Sequence, residues 1–142
     1  MLEGLNKVDW KSVRHHNGPA ADVPKLLWNL LSKDKKTQSS AILELFRNIW
    51  HHGRVYEATA LAVPFLYEIL ENSACFERFS IVWLIGAIAN GSSYNLIDHP
   101  EKKDEVETEM IWAKNAHSAV RRGVKTILGL LEEKDKDLRL PV

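Results

Sequence analysis

The chain is poor in the residues from which most functional signatures are built. It has one cysteine, Cys75, in 142 residues, so an intramolecular disulfide is excluded and Cys75 is expected to be a small core residue. Lys plus Arg equals Asp plus Glu, 19 of each, giving a formal net charge of zero. The basic excess with which nucleic-acid binders neutralise phosphates is therefore missing at the level of the whole chain. There is no glycine-rich phosphate loop, nucleophile elbow or kinase-type motif. The uncharged run Phe79–Ile97 is nineteen residues long. Asn90-Gly91-Ser92-Ser93 cuts its apolar part to about ten residues, against the roughly twenty a bilayer needs, so a buried core helix is expected instead. The opening MLEGLNKVDW has neither the apolar core nor the small-residue cleavage site of a signal peptide, and a cytoplasmic location is expected.

What is present is helical periodicity. Hydrophobic residues make up 45% and charged residues 27%, the balance of one globular domain spanning 1–142. Residues 1–20, with Leu5, Val8, Trp10 and Val13, read as an N-terminal cap closed by the break at Gly18-Pro19. Asp22-Val23-Pro24 opens a first helix, the Asp placed to cap it and the Pro tolerated in its first turn, with Leu26, Leu27, Leu30 and Leu31 on one face. A second helix is expected from Lys35 to His51, where Gly53 suits a left-handed C-terminal cap. A third runs from Val55 to Glu71 through Pro64, which should bend it. A fourth, Cys75 to Asn90, is apolar nearly all round and is expected to be covered on most sides. Residues 92–104 form a long loop. Glu105–Glu133 is helical, split near Gly123, with stripes Ile111, Trp112, Ala116, Ala119, Val120 and Val124, Ile127, Leu128, Leu130, Leu131. No segment has strand periodicity.

The pattern repeats. Val23-Pro24-Lys25-Leu26 and Val63-Pro64-Phe65-Leu66 are forty residues apart, and Ala41–Ile49 matches Ser80–Ile88 at an offset of thirty-nine. A period near forty with two helices per unit is the mark of an α-solenoid of HEAT or armadillo type, so the fold class expected is all-α with about five main helices.

The run Asn48-Ile49-Trp50-His51-His52-Gly53-Arg54-Val55-Tyr56-Glu57-Ala58-Thr59-Ala60, continuing through Ala62-Val63-Pro64-Phe65-Leu66, resembles bacterial HEAT-like repeat proteins that share N-I-W-H-Q-G-T-V-Y-E-A-T-A-x-A-V-P-F-L. Val8-Asp9-Trp10, Asp22–Leu27 and Gly91-Ser92-Ser93-Tyr94 fit the same group. His52 stands where that group has Gln, and Arg54 where it has Thr. The resemblance implies mainly a fold, some members being similar to immunity proteins of toxin systems. Many members continue into further repeats, and Asp135-Lys136-Asp137-Leu138-Arg139 looks like the start of one.

The functional expectation is a non-enzymatic protein-binding module of immunity or scaffold type, with another protein as partner and no cofactor. The alternative is a HEAT-like nucleic-acid-directed, glycosylase-like enzyme or a metal-dependent one. Against metal, the His pairs at 15–16 and 51–52 are adjacent in sequence, so their side chains diverge on a helix, and no His-x-x-x-His or Glu-x-x-His spacing occurs. Against base stacking, Trp10, Trp50, Trp83 and Trp112 fall within apolar stripes and are expected in the core, leaving Trp28 near an edge. Partner-binding residues are expected at the joint, His51, His52, Arg54, Tyr56 and Glu57, and in the long loop, Tyr94, Asp98 and His99 with the charged run Glu101–Glu105. The competing role for Tyr56 and Glu57 is to tie helix termini together.

Overall fold

A computed structural model describes residues 1–71, 75–92 and 100–132, apart from the Leu131 side chain. Tyr94, Asp98 and His99, and the segment 135–139, lie outside the described residues. The described chain is mostly helical. Its helices are α1 (Val23–Asn29), α2 (Lys35–Ile49), α3 (Glu57–Leu70), α4 (Arg78–Ala89), α5 (Lys103–Arg122) and α6 (Val124–Glu132). Helix α1 lies against α2 and α3, α3 packs most extensively on α5, and α4 touches α2, α3 and α5. Contacts thus join alternate helices, α1 with α3, α3 with α5 and α2 with α4, as well as helices adjacent in the chain. None of the described helices is long and apolar enough to cross a membrane.

The helices meet over a core of Leu27, Leu30, Leu45, Ile49, Leu66, Ile69, Leu70, Ile81, Leu84, Ile85 and Ile88, all without solvent exposure. The short 3-10 turn Glu3–Lys7 closes one end through Leu2, Leu5 and Trp10. The Trp10 indole donates to the Leu5 carbonyl at 3.0 Å and its ring lies 6.2 Å from that of Phe65. Ala58 and Ala62 of α3 are fully buried, the small side chains that let a neighbouring helix come close. Helix α3 continues through Pro64 as one helix.

Several expectations are corrected. Helix α2 stops at Ile49 because Trp50 turns extended, with φ −145° and ψ 132°. Trp50–His51 and Arg54–Val55 then pair as a two-stranded antiparallel ribbon, β3 and β4. An equivalent ribbon, β1 (Arg14–His15) with β2 (Gly18–Pro19), occupies the expected break in the N-terminal cap. Gly53 does take a left-handed conformation, φ 81°, but as the second residue of the hairpin turn after His52, φ 49°. Two consecutive positive φ values define a type I′ turn, whose twist matches paired strands and not a helix end.

Helix α4 is not covered on most sides. It buries Ile81, Leu84, Ile85 and Ile88, the face toward α3 and α5, and leaves Trp83 63% and Phe79 41% exposed. Trp83 is therefore not a core residue. In α5 the buried stripe is Val106, Glu109, Ala113, Ala116 and Ala119, and Ile111 is exposed. A glutamate takes the inward position because Arg54 meets it there. In α6 Leu130 is buried, whereas Val124 and Leu128 are exposed. The break between α5 and α6 does fall at Gly123. A Cβ at that position would run into the Tyr67 ring, whose hydroxyl donates to the Val120 carbonyl at 2.6 Å.

Candidate functional site

The polar residues of the joint assemble on one edge of the molecule, where three chain crossings lie side by side. The His16 amide donates to the Asn48 carbonyl at 2.8 Å, binding the first ribbon to the end of α2. Ser92, just past α4, joins the second ribbon: its amide donates to the Gly53 carbonyl at 2.8 Å and its carbonyl accepts from Val55 at 3.4 Å. His117 of α5 donates from Nε2 to the Gly91 carbonyl at 2.7 Å, fixing the same crossing from the other side.

Beneath this edge sits a polar knot centred on Asp22. Its carboxylate does not cap α1 as expected. Instead it accepts from the buried His15 at 2.7 Å and from the Asn48 side chain at 2.9 Å. Asn48 in turn accepts from the Asn17 side chain at 2.7 Å, and the Asn17 amide donates to His15 Nδ1 at 3.0 Å. With Nδ1 accepting, the His15 proton that reaches Asp22 is on Nε2. This knot is structural: every group in it is satisfied within the chain.

Above it lies a ridge of rings. His16 and His51 stack at 3.7 Å between centroids and 16° between planes. His52 stands edge-on to His51 at 4.2 Å. His16 Nδ1 shares a 2.7 Å hydrogen bond with the Tyr56 hydroxyl, and Tyr56 lies 6.5 Å from Trp112 of α5. Arg54 bridges to Glu109 at 2.5 Å, with side-chain exposures of 27% and 11%, and its guanidinium lies 5.8 Å from the Tyr56 ring centre. Partial burial, followed by the neighbouring His51, Arg54, His52 and His15, lowers the His16 pKa below its ordinary value. Face-to-face imidazoles direct their nitrogens outward rather than toward one point. Accordingly, no group of three or more potential ligands able to hold a metal ion occurs among the described residues.

Of the expected site residues, His51, His52, Arg54 and Tyr56 do come together. Glu57 turns aside to accept from the Arg14 amide at 3.1 Å. At the joint itself Thr59 makes the tie: its hydroxyl donates to the Ile49 carbonyl at 2.5 Å and accepts from the Tyr56 amide at 2.8 Å. Sequence reasoning missed His16, Trp112 and Glu109 as members of the ridge. For His16 a signal existed, because His15-His16-Asn17-Gly18 echoes His51-His52-Gly53. It also missed Gln38, a fully buried side chain that accepts from the Phe76 amide at 2.9 Å, donates to the Ser32 carbonyl and so joins α2 to the start of α4.

A second surface adjoins the ridge. Phe46 of α2 packs edge-on to Trp50 at 6.2 Å and, with Phe79, Ser80 and Trp83 of α4, lines an open groove. Leu43 of α2 and Phe76, two residues before α4, are also more than half exposed.

Comparison of the chain with protein-family models, with curated proteins and with solved structures finds no match in any of the three.

Proposed function

We propose that the chain is a non-enzymatic protein-binding module, a short stack of HEAT-type helical hairpins of the immunity or scaffold kind that sequesters a partner protein. The observation that carries this reading is the contiguous aromatic groove of Phe46, Phe79 and Trp83. Large apolar side chains gathered on one exposed face, with a polar edge beside them, are the composition of an interface and not of an ordinary surface. The stack itself is supported by the contacts between alternate helices and by the recurrence of a ribbon at the start of successive helical pairs. His16, His51, His52 and Arg54 of the ridge form the polar rim, with the buried Tyr56 holding His16 from beneath.

The test is affinity capture with the wild-type chain and with Phe79→Ser/Trp83→Ala, two exposed substitutions that leave the core untouched. One stoichiometric protein retained by the first and lost by the second is the expected result. Equal capture by both, or a salt-dependent shift of mixed oligonucleotides by the wild-type chain, would overturn the reading in favour of a nucleic-acid-directed protein.

A further inference from the structure

We infer that the groove between α2 and α4 receives an amphipathic helix whose polar side is acidic. This rests on the protein-binding reading above and specifies the partner's chemistry. Side-chain and backbone ties show that α2 and α4 run side by side in the same direction: Gln38 meets Phe76, Ser39 donates to Glu77 at 2.7 Å, and Phe46 lies with Phe79 and Trp83. Phe46 stands on one wall with the Trp50 ring edge-on against it, and Phe79 and Trp83, one helical turn apart on α4, stand on the other. Phe79 and Trp83 are four residues apart on α4, about 6 Å at the helical rise, a spacing that suits a docking helix with anchors at i and i+3 or i+4. The second ribbon meets the groove only at Trp50, whose strand is already paired with Arg54–Val55.

Charge selects the kind of helix. Lys33, Lys35 and Lys36 gather at the N-terminal end of α2, and Lys35 reaches over the Phe76 ring at 5.0 Å, which places this cationic end at the groove mouth. The carboxylates beside them keep their charge but are fewer than the lysines once Glu44 is matched by Arg47, so this end retains a small positive excess. Asp34 accepts from the Thr37 amide at 3.2 Å and hydroxyl at 2.7 Å, Glu77 accepts from Ser39 and Ser80 at 2.7 Å each, and Glu44 pairs with Arg47 at 3.1 Å. From Phe79 to Ala89, α4 carries no charge. The amino ends of α2 and α4 point the same way, so their partial positive charges add to those lysines. An apolar floor with one cationic mouth is complementary to a helix bearing Leu or Phe on one side and Glu or Asp on the other.

Two labelled synthetic helices with the same leucine face, one with a glutamate and one with a lysine polar face, are titrated against the full chain by fluorescence anisotropy. The glutamate helix is expected to bind at least tenfold more tightly at low salt, with the gap narrowing as salt rises. Lys35→Glu/Lys36→Glu, at exposed positions, should reverse the preference, and Trp83→Ala should weaken both helices. Equal binding of the two helices, or a preference unmoved by the charge reversal, would overturn the inference. So would a concentration-dependent dimer abolished by Trp83→Ala, which would make a second copy the occupant. If neither helix binds while protein capture still depends on Phe79 and Trp83, the acidic-helix inference fails and the protein-binding reading stands. If capture is also indifferent to those residues, both fail.

Discussion

Replacing Thr59 with valine keeps the shape of the side chain and removes one oxygen. That oxygen serves two backbone groups at the joint, accepting from the Tyr56 amide and donating to the Ile49 carbonyl. Thr59 and Ile49 have no solvent exposure and Tyr56 has little, so water cannot take over either bond. A buried polar group left without a partner costs roughly 1–3 kcal/mol, so two of them predict a loss of about 3 kcal/mol for Thr59→Val. For a chain of this size that corresponds to a melting point lower by roughly 10 °C. Thr59→Ser keeps the hydroxyl and gives up one methyl, worth about 1 kcal/mol. Thermal melts followed by circular dichroism, with urea titrations to check that the m-value is unchanged, separate the two variants. If valine costs no more than serine, the hydroxyl does not hold the joint, and the hairpin must be positioned by ring packing alone.

Other outcomes follow from the same geometry. His52 occupies a left-handed position that asparagine adopts more readily, so His52→Asn should stabilise the fold by about 0.5–1 kcal/mol in urea titrations; loss of partner capture by this stabler variant would mark His52 as a contact residue. Because the folded chain binds the His16 proton less readily than the unfolded chain, stability should be full above the ordinary imidazole pKa of about 6.5 and decline as pH falls below it. His16→Gln should flatten that decline, and an identical slope in the variant would refute the assignment. Gly123→Ala should cost about 2 kcal/mol by displacing the Tyr67 ring, whereas Gly129→Ala, in open space within α6, should be neutral or slightly stabilising in the same melts. Burial raises the Cys75 thiol pKa, so a disulfide reagent at pH 8 should label the unfolded chain promptly and the native chain only slowly.

The helices were legible because each carries an apolar period bounded by turn residues. The ribbons were not legible. A two-residue strand has no alternation to detect, and the period of α2 runs unbroken through Ile49 into Trp50. For α4 the sequence offered too much: with Phe79, Ile81, Val82, Trp83, Leu84, Ile85 and Ile88 all apolar, no face stands out as the one to cover. Only the positions of α3 and α5 decide that Ile81, Leu84, Ile85 and Ile88 go in and Trp83 stays out. The Arg54–Glu109 pair joins residues fifty-five apart, and no local rule links them. Glu109 interrupts the stripe expected along α5, so its inward position followed from Arg54 rather than from the helix itself. At the joint the expectation falls on Tyr56 and Glu57 as the tie, yet the tie is Thr59, an unremarkable residue in an alanine-rich run.

The backbone bonds that link Ser92 to Gly53 and Val55, and His16 to Asn48, bear on how the chain comes apart. In a stack of helical pairs where each touches only its neighbours through side chains, the ends peel away first and each unit melts on its own terms. Here the turn before α1 is bonded to the end of α2, and the residue after α4 to the ribbon before α3, through main-chain atoms. Amides at these crossings should therefore exchange with solvent only when adjacent pairs open together, and the described helices should melt as one cooperative body rather than as a row of separable parts.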